Sequence, residues 1–226
     1  LRQNTTGGCN VAVGYNTLIA NTTGCRNTAS GNYALLGNTT GILNTGMGYE
    51  ALKCNTTGIK NTGMGWNSLR RTTTGTENTA VGSESGYLNQ TGCSNVVVGS
   101  GSGYNNSSGC FNTAVGRAAM FANTTASYNT AIGGCTLYAN TTGANHVAVG
   151  YLALTANTCG DNNTAVGRGS MQATTTGSNN TATGYLALYS QSTGGQNTAI
   201  GVRAMQSNTT ASYNTAVGTC TLYSNT

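Results

Sequence analysis

Polar and apolar positions recur along the chain at a fixed step. The phrase Asn112-Thr113-Ala114-Val115-Gly116 returns as Asn10-Val11-Ala12-Val13-Gly14, Asn27-Thr28-Ala29-Ser30-Gly31, Asn163-Thr164-Ala165-Val166-Gly167 and Asn214-Thr215-Ala216-Val217-Gly218. Its glycines are Gly14, Gly31, Gly48, Gly65, Gly82, Gly99, Gly116, Gly133, Gly150, Gly167, Gly184, Gly201 and Gly218, a step of 17 residues with no insertion or gap. A short fixed period marks a stacked array. Counting from the asparagine, Val, Ile or Met fills the fourth place of most units and Leu or Met the ninth, and each unit ends near the turn Asn-Thr-Thr-Gly. The pattern predicts an all-β fold, a parallel β-solenoid (β-roll) of about thirteen 17-residue rungs. Two short strands per rung are expected, one over Thr-Ala-Val and one around Ala-Leu, as in Ala153-Leu154 and Ala187-Leu188. The turn itself suits asparagine, which can bond its own backbone, and glycine, which tolerates positive φ.

Side chains alternate across a strand, so Val115 should face one way while Ala114 and Gly116 face the other. The small column, Ala12, Ala80, Ala114, Ala131 and Ala148 with the repeated glycines, suits a narrow interior where two backbones approach. The large column, Val13, Met47, Met64, Val81, Val98, Val115, Ile132, Val149, Val166, Ile200 and Val217, then needs a second layer, and so do Leu18, Leu35, Leu52, Leu69, Leu137, Leu154, Leu188 and Leu222. An identical ridge on another chain would supply that layer. The competing reading puts the large column inside a single-chain solenoid and leaves the small one exposed. One unit cannot fold alone, because burying a Val and a Leu contributes roughly 3–6 kcal/mol while ordering the backbone of one rung costs on the order of 17–34 kcal/mol. Stacked neighbours must make up the difference.

Composition excludes other classes. There is no proline, glycine numbers 34 and only 6% of residues are charged, against roughly 25% in ordinary soluble domains. Helix is excluded by the abundance of Gly, Asn and Thr without a 3.6-residue apolar period, and disorder by the strict repeat. The net charge of +5 is spread thinly. Its one concentration, Lys53, Lys60, Arg70 and Arg71, also holds Glu50 and Glu77 and reads as a solvated, mildly basic face; no aromatic-and-basic groove suggests nucleic acid. No apolar run is long enough to span a bilayer, so no membrane insertion is expected in this segment. The array begins within a unit at Leu1 and stops within one at Thr226, so residues 1–226 are expected to be a single continuous repeat array within a longer fibrous chain.

The phrases Asn145-His146-Val147-Ala148-Val149-Gly150-Tyr151 and Asn140-Thr141-Thr142-Gly143 resemble head repeats of trimeric autotransporter adhesins and related repeats of phage tail-fibre proteins. The likeness runs along the whole chain, although adhesin heads usually have shorter units. It implies left-handed parallel β-rolls, three chains side by side, with small residues inside each roll and branched apolar residues toward the trimer axis. It also implies an extracellular, non-enzymatic fibre that binds surfaces or spaces another module away from them.

Catalytic chemistry is sparse. His146 stands where other units place asparagine and is expected to be a surface substitution rather than a base. Glu77 and Glu84 are close in sequence, but a carboxylate pair needs a cleft between them. Gly99-Ser100-Gly101-Ser102-Gly103 lacks the lysine and helix of a phosphate loop. The eight cysteines include no Cys-x-x-Cys metal spacing, and no cofactor is expected. Cys93 and Cys110 are one period apart and should stack within disulfide reach on adjacent rungs. Cys9 and Cys25 form a weaker second candidate, and Cys135 and Cys220 share a column too widely spaced to pair. Disulfides favour an extracellular or cell- or virion-surface location.

Asn4, Asn21, Asn38, Asn55, Asn89, Asn106, Asn123, Asn140 and Asn208 head Asn-x-Ser/Thr sequons in the turn column, with Asn105, Asn162 and Asn179 outside it, and are glycosylation candidates in a host that glycosylates secreted proteins. The leading expectation for function is a structural or adhesive extracellular fibre, assembled as a homo-oligomer (trimer or filament), with surface glycans as a candidate partner and no nucleic acid. Two alternatives follow. An ice-binding solenoid would use the columns Thr22, Thr39, Thr56 and Thr23, Thr40, Thr57. A polysaccharide-binding or polysaccharide-cleaving tail spike would need the carboxylate pair. Tyr15, Tyr49, Tyr151 and Tyr185 could form a sugar-stacking strip or a plain stacking ladder.

Overall fold

The computed structural model describes residues 2–224, so Leu1 and Thr226 lie outside the described residues. The chain forms two compact units, Leu1–Asn112 and Thr113–Thr226. The first carries β1 (Val11–Val13), β2 (Thr28–Ser30), β3 (Thr45–Met47), β4 (Thr62–Met64), β5 (Thr79–Val81) and β6 (Val96–Val98). The second carries β7 (Thr113–Val115), β8 (Thr130–Ile132), β9 (Val147–Val149), β10 (Thr164–Val166), β11 (Thr181–Thr183), β12 (Thr198–Ile200) and β13 (Thr215–Val217). Within each unit successive strands pair in parallel with a one-period offset, Ala12 against Ala29 in the first and Ala114 against Ala131 in the second. Each unit is a parallel β-solenoid, with no helix among the described residues.

Each rung has one strand, not two. The Ala-Leu segment is a run of overlapping turns in which alternate residues are left-handed, such as Tyr33 (φ 63°) and Leu35 (φ 49°). Ala34 N donates to Gly31 O (3.2 Å), Leu36 N to Tyr33 O (3.3 Å) and Asn38 N to Leu35 O (3.2 Å), while Leu35 N reaches up to Ala51 O of the next rung (3.0 Å). Alternating hand curls the chain, so side-chain alternation fails and neighbours such as Ala34 and Leu35, or Ala153 and Leu154, are both fully buried.

That curl corrects the expected place of the leucines. Leu18, Leu35, Leu52, Leu69, Leu137, Leu154 and Leu188 fill the interior against the small strand residues Ala29, Ala80, Ala114, Ala131 and Ala148; only Leu222, in the last rung, is exposed. The two columns trade volume. Where Val97 replaces the small residue, the leucine positions beside it are Gly86 and Gly103, whose added Cβ atoms would lie 3.3 and 2.7 Å from the Val97 methyls. The glycine after each strand is fixed differently from the expectation that it lines the interior. Gly31 has φ +125°, and a Cβ there would sit 2.6 Å from the Gly48 carbonyl oxygen of the next rung. Backbone stacked on backbone leaves no room for a side chain.

The asparagines form a polar interior beside the apolar one. In the turn column, Asn38 Nδ2 donates to Asn21 Oδ1 (2.8 Å) and to its own turn carbonyl, Gly41 O (3.0 Å). In the column preceding each strand, Asn27 Nδ2 donates to the same Gly41 O (2.9 Å), and Asn27 Oδ1 accepts the Asn44 N–H (2.9 Å). The second unit repeats this with Asn163 Nδ2 on Gly177 O (2.7 Å) and Asn180 N on Asn163 Oδ1 (3.0 Å). The turn glycines serve this arrangement rather than a positive φ: a Cβ on Gly24 would lie 2.5 Å from both Asn21 Oδ1 and Gly41 O. Around the turn, threonine hydroxyls add a third ladder, Thr22 Oγ1 to Thr39 O (3.0 Å) and Thr39 Oγ1 to Thr56 O (3.1 Å).

Breaks in the turn column coincide with unsatisfied buried atoms. Thr72 and Thr174 stand at asparagine positions; their hydroxyls and the facing Asn55 Oδ1 and Asn157 Oδ1 are buried without a partner. An asparagine at 72 would receive Asn89 Nδ2 and donate to Asn55 Oδ1, restoring two bonds. Thr72→Asn is therefore expected to stabilise the first unit by about 1–2 kcal/mol, read as a higher urea midpoint, whereas Asn38→Ala should lower it; equal midpoints for the two variants would contradict the ladder.

Candidate functional site

What the interior excludes, the strands display. The middle residue of each strand points inward and its neighbours point out, so most rungs present one threonine-rich and one large apolar position on a shared outer face, Ser30 and Thr183 being the polar exceptions in the apolar column. In the first unit Val13, Met47, Met64 and Val81 are exposed there, Val81 least at 37%. In the second, Ile132, Ile200 and Val217 are exposed, Val217 most at 65%. The parallel registers hold these side chains in line, Met47 beside Met64 and Thr45 beside Thr62, and Ile200 beside Val217. This removes the reading in which the large column fills a single-chain interior. Met47, Met64 and Val81 stand on consecutive rungs, as do Ile200 and Val217, and exposed apolar surface of this kind marks interaction sites.

Aromatic side chains border the ridge, two residues beyond it. Tyr15, Tyr49, Trp66, Tyr151 and Tyr185 are exposed. They do not form one stacked ladder. Tyr33 bridges Tyr15 and Tyr49 edge-on at centroid separations of 5.5 and 6.0 Å, and the Arg168 guanidinium lies 6.0 Å from the Tyr151 ring and 5.6 Å from the Tyr185 ring. Stacked rings occur in another column, Tyr87 on Tyr104 at 4.9 Å and Phe121 on Tyr138 at 5.2 Å. Arginine with exposed aromatics is the composition of protein interface cores.

The charged cluster is largely paired. Glu50 is buried; burial pushes its carboxyl up, but hydrogen bonds from Lys53 (2.7 Å) and Arg70, with their charges, outweigh that and hold it below the usual range. Glu77 accepts from Lys60 (3.0 Å), the main reason its carboxyl is lowered. A lowered pKa is opposite to what a general acid needs, and Glu84 stands in a different column, after the strand rather than before it. Among the described residues no three His, Cys, Asp or Glu side chains gather where they could hold a metal ion, and no helix is long and apolar enough to cross a membrane.

Cys93 and Cys110 form a disulfide between adjacent rungs, with Cα atoms 4.6 Å apart. Cys9 and Cys25 are free. Their separation falls one short of the period, so they occupy neighbouring columns and the expected second bond does not form. The turn-column glycosylation candidates are also corrected. Asn21, Asn38, Asn55, Asn89, Asn106, Asn123, Asn140 and Asn208 are buried, and the half-buried Asn4 amide is bonded to Gly7 O at 2.9 Å. A glycan cannot occupy an amide nitrogen enclosed in the rung. Of the sequons outside that column, Asn162 and Asn179 are exposed and Asn105 half-buried.

His146 is an interior residue, 1% exposed, not a surface substitution. It copies the asparagine it replaces: Nδ1 accepts the Asn163 N–H (3.2 Å), as Oδ1 does elsewhere in the column. Nε2 then carries the proton, as Nδ2 does in that column, and its partner is the Gly160 carbonyl; Asn157 Nδ2, 3.1 Å away, is itself a donor to that carbonyl and not a partner of the ring. Desolvation lowers its pKa, with Gly160 and Asp161 opposing. The neutral form is the folded one, so its contribution to stability is complete above the unfolded value of about 6.5 and is lost as pH falls below it, where the unfolded chain binds the proton first. Stability of the second unit should fall between pH 7 and pH 5, and His146→Asn should flatten that slope; thermal melts across the range check it, and parallel curves for the two proteins would contradict the assignment. No protein family, curated protein or solved structure matches the chain.

Proposed function

We propose that the chain is a non-catalytic structural or adhesive fibre segment whose rolls associate side by side with further copies through the outer strand face. The observation that carries this reading is the in-line apolar run Met47, Met64 and Val81 in the first unit, with Val13 beyond Ser30, and the pair Ile200 and Val217 in the second, with Ile132 further along the same column. An identical ridge on a second chain has the same rise per rung and can meet it residue for residue. The bordering tyrosines, Trp66 and Arg168 supply the larger anchors such an interface uses. The resemblance to adhesin heads and tail-fibre repeats favours an extracellular or surface location, and the Cys93–Cys110 disulfide suits an oxidising compartment.

The ice-binding alternative loses its first column, because Thr22 and Thr39 donate their hydroxyls to the next rung. It gains another, since Thr28, Thr45, Thr62 and Thr79 lie in register on the strand face. Thermal hysteresis separates the two readings.

Mass photometry of the intact chain is expected to find trimers or longer assemblies. Met64→Lys with Val81→Lys should release monomers with an unchanged circular dichroism spectrum. A monomeric parent chain, or assemblies indifferent to both lysines, would sink the proposal.

A further inference from the structure

We propose that the corner column Asn145, Asn162, Asn179 and Gln196 of the second unit, bounded by Tyr128 and Tyr213, is a binding strip for an extended, uncharged polysaccharide. These are the residues one place before the interior asparagine of each rung, and all six are exposed. Each backbone is fixed: Asn162 N donates to Ala144 O (3.0 Å), Asn179 N to Asp161 O (3.0 Å) and Tyr213 N to Gly195 O (3.1 Å). The four amides therefore stand on a rigid ladder, one per rung, about 4.8 Å apart. Successive pyranose rings in an extended chain advance by nearly the same distance, so each rung can meet one sugar.

Backbone geometry does not explain the choice of residue. The column is left-handed, with φ between 56° and 60° from Asn145 to Gln196, and asparagine tolerates that conformation. Yet the same column in the first unit holds Arg26, Leu43, Lys60, Glu77 and Phe111 at φ of 56° to 59°. Any side chain is accepted there, so four consecutive amides reflect something outside the backbone. Nor do they bond one another. The interior asparagines are linked rung to rung, whereas the side chains of Asn145, Asn162, Asn179 and Gln196 make no hydrogen bond to a described residue and present both donor and acceptor to solvent.

The chemistry selects a class of ligand. An amide can donate to one sugar hydroxyl and accept from the next, and an exposed tyrosine ring offers a flat face for the apolar side of a pyranose. Tyr213 is 78% exposed and Tyr128 61%. At the Tyr213 end, Asn179, Gln196 and Tyr213 join Thr176, Ser178 and Ser212 in lining one open polar groove. No cation stands in the column, and the only charge beside it is Asp161, whose carboxylate accepts the Ala144 N–H at 2.7 Å. A sulfated or uronic acid chain would find no counter-charge and one repulsion. The strip sits at the corner before the strand, apart from the ridge, so it does not rest on the association reading and either can fail alone.

Titration calorimetry of the intact chain with unbranched hexasaccharides tests the strip, the probes being β-1,4-glucose, β-1,4-N-acetylglucosamine, β-1,4-mannose and α-1,4-glucose oligomers, with a heparin hexasaccharide as the charged comparison. At least one neutral hexasaccharide should bind, more tightly than its trisaccharide. Asn162→Asp with Asn179→Asp should weaken binding roughly tenfold or more, and Tyr213→Ala should weaken it too, with thermal midpoints unchanged. Heat from heparin alone, no heat from any neutral probe, or affinities untouched by these substitutions would overturn the assignment.

Discussion

A buried carbonyl at the turn of most rungs, met by two side-chain amides, is the constraint on which the rest of the structure depends. Curling a chain into a narrow roll points backbone groups inward, where each would cost about 1–3 kcal/mol if left unpaired. The Gly41 carbonyl receives Asn27 from the rung below and Asn38 from its own turn. Because each asparagine also bonds along its column, the rungs are held in register by side chains as well as by strands three residues long. Strands so short contribute few ladder bonds of their own, and backbone bonds between turns, such as Thr22 N to Thr39 O and Leu35 N to Ala51 O, join the buried amides and threonine hydroxyls in linking the rest of each rung to the next.

This arrangement decides where apolar residues can go. Two asparagine columns and one leucine column consume the interior, leaving the strand little more than a methyl group of space, which Ala fills; at Gly63 even an added Cβ would lie 2.8 Å from Ser68 Oγ. A larger inward side chain, Val97, is accommodated only where Gly86 and Gly103 vacate the leucine position, and the other large strand side chains face outward. The ridge of Val, Met and Ile is thus a consequence of the polar interior, and a molecule built this way carries apolar surface along its length unless something covers it. The same geometry leaves the corner positions free of any demand from the fold, which is why charged residues can occupy them in the first unit and neutral amides in the second.

Much of this was legible in the sequence. A constant period maps each residue onto the one above it, so the strand column, the small interior residues and the Cys93–Cys110 bond follow from counting. The leucines lie elsewhere than a second strand would put them because the Ala-Leu segment, as in Ala153-Leu154, is not a strand: its alternate residues, Leu152 and Leu154, are left-handed, which cancels the alternation. The turn asparagines read as exposed because Asn-Thr-Thr-Gly is good turn chemistry; the overlooked signal was that asparagine itself, rather than Asp or Ser, returns at nearly every rung, as a residue that must both donate and accept would. His146 belongs with them, since an imidazole also offers one donor and one acceptor. The corner column is not legible in the sequence, because its residues share no type from one unit to the other and only the backbone shows that they share a conformation.

Side-chain amide hydrogen exchange by nuclear magnetic resonance tests the central claim most directly, because it asks whether the asparagines are structural. Protection of the Asn27, Asn38, Asn163 and Asn180 amide protons to the level of strand backbone, with free exchange at Asn145, Asn162 and Asn179, is the expected result. Free exchange at the first four would contradict the account.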